Sequence, residues 1–210
     1  MTLVVLDVDS TLIENEVIEL LAEAAGSLDE VAAITHRAMS GEIDFAESLR
    51  ERVATLQGLP VSCLAEAGDR ITVTAGVPEL VDGVHSLGGR IGVVSGGFHE
   101  LVDPLAASLG LDHWSANRLE VADGRLTGRV SGPIVDAEAK AAALRTWASE
   151  SGTPLSRTIA VGDGANDLRM MDEAGLAVAF CAKPLVRAHA DVCLDTRDLS
   201  QLLPLLGLRA

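Results

Sequence analysis

Tyrosine is absent from the 210-residue chain, and aromatic residues make up only 2% of it. There is no stock of rings on which bases could stack. The core must therefore be built from leucine, valine, isoleucine and alanine, and a hydrophobic fraction of 48% is ample for that. Cations are also scarce: 16 Lys and Arg face 31 Asp and Glu, giving a net charge of −15 and a pI near 4.6. Nucleic acid is not an expected partner of such a surface. Lysine occurs only as Lys140 and Lys183. The three cysteines, Cys63, Cys181 and Cys193, show no CxxC spacing, which supports neither a zinc site nor a disulfide framework. They read as small hydrophobes in a reducing cytoplasm. No apolar run approaches the ~20 residues of a membrane span, so no membrane partner is expected. Met1 leads into an apolar strand without a basic segment, so no signal peptide is expected either.

What is present is a series of short apolar runs: Leu3–Leu6, Ile91–Val94, Ile159–Val161, Leu176–Ala179 and Val192–Leu194. Runs of this length suit strands buried on both faces, and the helix-length stretches between them predict an α/β fold with a Rossmann-like parallel sheet. Between Glu14 and Thr74 the pattern is helical without strands. Ser27 with Glu30, and Asp44 with Glu47, have capping-box spacing. Ser40-Gly41 reads as a break between helices, and Pro78 suits a first helical turn. The expected organisation is a core of residues 1–13 and 77–210, with residues 14–76 as an inserted helical cap domain. Asn117–Val121 and Arg125–Val130 around Asp123-Gly124 read as a hairpin.

Ligands of open parallel sheets sit beyond the carboxyl ends of the strands. Asp7-Val8-Asp9-Ser10-Thr11 follows the first run directly. One carboxylate there can attack phosphorus while the other moves protons, although Asp and Ser are equally at home in a strand-to-turn junction. Ser95-Gly96-Gly97 follows the second run, where glycines let backbone N–H groups approach an anion. Gly162-Asp163-Gly164-Ala165-Asn166-Asp167 offers hard oxygen donors that suit Mg²⁺, or simply cap a helix. Lys140 lies in an expected helix from Asp136 to Ser149. Arg52 falls on the apolar stripe of Phe45, Leu49, Val53 and Leu56, where a guanidinium needs an anionic partner or must reach past the stripe edge.

In this order and combination the motifs resemble the haloacid dehalogenase superfamily of phosphatases. Asp9-Ser10-Thr11, the helical insertion, Ser95-Gly-Gly-Phe98, Ala116-Asn117-Arg118-Leu119 and Phe180-Cys181-Ala182-Lys183-Pro184 are similar to the phosphoserine phosphatase family within it. The resemblance runs from Leu3 to about Leu203. It implies Asp7 as nucleophile and Asp9 as general acid/base. It implies Mg²⁺ held by Asp7, the Asp9 backbone carbonyl and Asp163, with Asp167 supporting the water shell. Ser95, Gly96, Lys140 and Asn166 match the phosphate clamp. Glu16 matches the residue that binds the substrate ammonium, Arg52 the one that binds its carboxylate, and Met39 and Phe45 their apolar neighbours. The implied reaction is hydrolysis of phosphoserine as the last step of serine biosynthesis, by a cytoplasmic monomer or homodimer. Val8 departs from the common Phe at its position. No regulatory amino-acid-binding domain is attached, so serine feedback through one is not expected. His99, despite following Gly97-Phe98, is read as lining the next helix rather than as catalytic.

Three rival readings remain at this point. The same chemistry could serve phosphohomoserine, phosphothreonine or another small phosphate ester, or pass the phosphoryl group to an alcohol. A signalling receiver domain also phosphorylates an Asp, but needs no cap and no Asp9. An inactive relative would not require every motif position to be filled.

Overall fold

The computed structural model describes residues 1–209. Seven strands, β1 (Leu3–Leu6), β2 (Arg90–Phe98), β3 (His113–Ala122), β4 (Arg125–Ser131), β5 (Thr158–Gly162), β6 (Leu176–Phe180) and β7 (Val192–Leu194), form one sheet. Their order is β4-β3-β2-β1-β5-β6-β7, and every neighbouring pair is parallel except the β3–β4 hairpin. The α/β class expected from the apolar runs is what forms. All four residues of β1 are buried, and they alternate between two cores. Val4 and Leu6 join one face with Ile91 and Val161; Leu3 and Val5 join the other with Ala160 and Leu144. The period-2 alternation of a strand therefore serves both faces, and this is why the run contains no polar residue.

Four helices follow β1 with no strand among them: α1 (Val17–Ala25), α2 (Leu28–Met39), α3 (Phe45–Ala54) and α4 (Ser62–Gly68). The chain leaves and re-enters the sheet region through a narrow stem. Ile13 bridges Val73, the Glu14 N–H donates to Thr72 O at 2.9 Å, and the Thr74 hydroxyl donates to Thr11 O at 2.7 Å. The tip of the hairpin touches the helices from the other side, with Leu126 and Gly58–Leu59 exchanging two backbone hydrogen bonds of 2.9 Å. Helix α5 (Val77–Ser86) begins after Gly76, whose φ of 79° suits glycine, with Pro78 in its first turn. Helices α6 (His99–Leu109), α7 (Ala137–Glu150), α8 (Leu168–Glu173) and α9 (Pro184–Arg187) complete the layers.

One capping expectation holds and one fails. The Asp44 carboxylate accepts the Glu47 N–H at 2.7 Å. The Ser27 side chain makes no cap; its hydroxyl instead donates to Thr55 Oγ1 at 3.1 Å, tying α2 to the end of α3. No helix among the described residues is long and apolar enough to cross a membrane.

Candidate active site

The carboxyl ends of β1, β2 and β5 open under helices α1, α2 and α3 onto a cleft of about 450 Å³, within the range of small-molecule sites. Asp7 is the first residue past β1, and its N–H donates to Val161 O on β5 at 2.9 Å. The chain then turns tightly: Asp9 is extended, Ser10 adopts a left-handed conformation with φ 58°, and the Ile13 N–H closes on Val8 O at 3.0 Å. A non-glycine residue with positive φ is costly. Here the turn returns the chain so that the Ser10 hydroxyl donates to Glu16 Oε1 at 2.7 Å. Val8, between the two aspartates, is fully buried in the core and takes no part in the cleft.

Of the twelve residues singled out by the sequence, nine line the cleft: Asp7, Asp9, Glu16, Met39, Phe45, Arg52, Gly96, Asp163 and Asn166. Ser95, Lys140 and Asp167 stand immediately behind the wall, each completely buried. The Lys140 ammonium lies 2.6 Å from Asp7 Oδ1 and 2.7 Å from Asp167 Oδ1. Asp7 Oδ1 also accepts the Val8 N–H at 2.7 Å. Asp167 uses its other oxygen to accept the Gly164 N–H at 3.1 Å. A Cβ added to Gly162 would stand 2.3 Å from that oxygen, so glycine is what lets the carboxylate sit there.

One buried lysine does not neutralise this group. Burial and the neighbouring Asp167 push the Asp7 carboxyl up to about 7, against the pull of Lys140. Burial and Asp167 likewise push Asp163 up to about 6. Burial, then Glu16 and Asp7, hold Asp9 well above the usual carboxyl range. Burial disfavours the Lys140 ammonium, but Asp167 and Asp7 outweigh it and raise its pKa. Asp7, Asp163 and Asp167 can each offer an oxygen, all within 4.8 Å of one another. Hard donors, crowded and short of positive charge, fit a divalent cation.

The far end of the cleft has different chemistry. Arg52 is set among apolar residues of α3, with its Nε donating to Ser48 O at 3.3 Å. It forms no ion pair with any carboxylate among the described residues, so its charge is not neutralised by a neighbouring acid. Burial lowers its pKa, opposed by Glu16, Asp9 and Glu19. Phe45 packs on the glycine turn, its ring 3.0 Å from where a Gly96 Cβ would stand. Met39 lies at the mouth and is 70% exposed, so it borders the cleft rather than enclosing it. Lys183, whose role the sequence left open, also borders the cleft; its N–H donates to Asp163 O at 3.1 Å. Ala137, at the start of α7, and Gly97 also line the cleft. Gly97 belongs to the glycine turn that the sequence already singled out, whereas Ala137 had no signal beyond lying three residues before Lys140. His99 points away: its ring pairs with Asp103 at 2.6 Å and accepts the Ala116 N–H at 3.2 Å.

Residues 4–172 match the family described as haloacid dehalogenase-like hydrolase. The phosphoserine phosphatase of Streptococcus thermophilus is 54% identical over 97% of this chain and 95% of its own length. That of Methanocaldococcus jannaschii is 45% identical over 96% and 95%. Among solved structures, a phospho-aspartyl intermediate analogue of phosphoserine phosphatase superposes with a TM-score of 0.92 at 44% identity, covering 99% of both chains. A substrate-bound phosphoserine phosphatase complex also gives 0.92, at 43% identity over 99% of this chain and 98% of that one.

Proposed function

The chain belongs to the haloacid dehalogenase-like hydrolase family, and we infer that it hydrolyses O-phospho-L-serine to L-serine and phosphate through an aspartyl phosphate on Asp7. The observation that carries this reading is a cleft with a carboxylate cluster at one end and, at the other, a guanidinium with no carboxylate partner among the described residues, beside a glutamate. A phosphorylated zwitterion supplies complementary groups for both ends. The substrate is a small molecule, and the implied setting is the final step of serine biosynthesis in the cytoplasm.

Lys140 and the Val8 N–H fix the Asp7 carboxylate through Oδ1, and an oxygen of that carboxylate attacks phosphorus. The bond from phosphorus to the serine oxygen breaks as the bond to Asp7 forms. Asp9, whose protonated form is favoured by its burial and by Glu16 and Asp7, gives its proton to the departing oxygen. The resulting Asp9 carboxylate then takes a proton from the water that attacks the phosphoryl group, and phosphate leaves. Hydrolysis of the acyl phosphate thus restores both acids. Ser95, the Gly96 backbone, Lys140 and Asn166 hold the phosphoryl oxygens, and most of the rate comes from such fixed charges and dipoles. Glu16, oriented by Ser10, takes the ammonium, and Arg52 takes the carboxylate as a fork. Phe45 and Met39 flank the short carbon chain.

The divalent cation is assigned as Mg²⁺ on the all-oxygen donor set: Asp7, the Asp9 carbonyl and Asp163 would hold it, with Asp167, already bound by Lys140 and Gly164, supporting its waters. When bound it supplies positive charge that offsets the phosphate and the acids.

The test is phosphate release from L-phosphoserine, phosphothreonine and an aryl phosphate, with Mg²⁺ or EDTA, for the native chain and Asp7→Asn. Multiple turnovers that require Mg²⁺ and Asp7 and favour phosphoserine are expected. Turnover on aryl phosphate but not phosphoserine would keep the chemistry and overturn the substrate. One phosphate retained per chain would instead indicate a receiver.

A further inference from the structure

Asn117 belongs to a sequence motif for which the mechanism above has no use, yet it is almost wholly buried, 1% exposed, on β3. Its carboxamide orientation follows from its partners. The Val135 N–H donates to Oδ1 at 2.8 Å, so the Nδ2 group faces the Gly96 carbonyl, to which it donates at 2.9 Å. That carbonyl belongs to the Gly96–Gly97 peptide. The other end of the same peptide, the Gly97 N–H, donates to Ser95 Oγ at 2.8 Å. One peptide plane is therefore held at both edges, by Asn117 outside the cleft and by Ser95 behind its wall.

We propose that Asn117 is a positioning residue for the phosphate end of the site, acting through the Gly96–Gly97 peptide on the Ser95 hydroxyl. Ser95 Oγ already accepts the Gly97 N–H, so its own proton is left to donate toward an anion. Each bond in the series Asn117 amide, Gly96 carbonyl, Gly97 N–H, Ser95 hydroxyl polarises the next, and the last becomes the stronger donor. The spacing leaves little slack: a Cβ on Gly97 would stand 3.0 Å from Ser95 Oγ and 3.4 Å from Asp9 Oδ2. The Val135 bond serves a second purpose. It fastens Asn117 to the segment that leads into α7 and Lys140, so the glycine turn and the lysine share one anchor.

The proposal rests on the phosphatase reading but not on the identity of the amino-acid substrate, and its test uses an aryl phosphate and inorganic phosphate for that reason. In a double-mutant cycle, Asn117→Asp keeps an acceptor for Val135 and removes the donor to Gly96; Asn117→Ala removes both. Each is expected to lower kcat/KM on aryl phosphate and on phosphoserine by the same factor, about tenfold or more, and to weaken inhibition by inorganic phosphate. In a Ser95→Ala background the same substitutions should cost no more than about twofold, because the group they act through is gone. Losses that multiply in full, a loss confined to phosphoserine, or native activity in a folded Asn117 variant would overturn the proposal. A measurement on the unaltered residue covers the case in which those variants do not fold. The Asn117 side-chain amide resonances should shift when inorganic phosphate binds the native protein, and not in Ser95→Ala. No shift in the native protein would equally overturn it.

Discussion

The Lys140 ammonium lies 2.6 Å from Oδ1 of Asp7, with the lysine fully buried and the aspartate nearly so. The pair joins helix α7 to the end of β1, and Asp167 completes it from the other side at 2.7 Å. Removing one partner of a buried pair leaves the other charge stranded, at a cost of about 3–5 kcal/mol. Lys140→Met should therefore lower the thermal midpoint and cut turnover on every phosphate ester by about a hundredfold or more. Steady-state kinetics and thermal melts check both. A well-folded variant with near-native turnover would refute the assignment of Lys140 to the phosphate end.

The raised acids predict how cation binding depends on pH. Asp7 is pushed up to about 7 and Asp163 up to about 6, by burial first and Asp167 next. A carboxyl whose folded pKa is raised makes the folded state bind more protons, so metal-free stability falls as pH rises from the unfolded value near ~3.9 through the folded ones. A cation binds the ionised form and removes that penalty. The rise in thermal midpoint on adding Mg²⁺ should thus grow between about pH 5.5 and 8. A constant rise across that range would contradict it.

Arg52 and Glu16 should separate substrates. Arg52→Ala and Glu16→Gln should each raise KM for phosphoserine by about tenfold or more, since each removes a charged hydrogen bond, and change aryl phosphate kinetics by less than about threefold. Equal losses on both substrates would refute recognition of a zwitterion.

Asp112, at the opposite end of the sheet, is a stability element. Burial pushes its carboxyl up, but the Ile91 N–H, His85 and Arg90 outweigh burial and hold it below its usual value. The bonds are 2.9 Å to Ile91, 2.9 Å to His85 and 2.5 Å to Arg90. A depressed folded pKa contributes stability above the unfolded pKa, lost as pH falls through the folded one. Asp112→Asn should cost about 1–2 kcal/mol at neutral pH, and the gap should close in acid below about pH 4. Urea unfolding at the two pH values checks this, and activity should be unchanged.

The sheet was legible because its central strands are buried on both faces and so carry unbroken apolar runs, as in Leu3–Leu6. The helical stretch showed itself by period and by the Asp44 cap. The catalytic motifs were legible because turns after strands need Asp, Ser and Gly at close spacing. What escaped was set by contacts distant in sequence. Ser27 has capping spacing, but Thr55, 28 residues on, claims its hydroxyl. Lys183 and Ala137 border the cleft only because β6 and α7 bring them there. The link from Asn117 to Gly96 spans 21 residues across two strands, and no local pattern encodes it. The left-handed Ser10, which aims its hydroxyl at Glu16, is equally silent in sequence.

The central claim is that phosphate from phosphoserine is carried on Asp7. Acid quenching during turnover of L-phosphoserine with Mg²⁺, followed by peptide mass analysis, tests it most directly. A phosphoryl group on the peptide containing Asp7, present in the native protein and absent from Asp7→Asn, is the predicted result. A phosphatase that turns over with no acyl phosphate in any of these proteins, or with the label on another residue, would contradict the account.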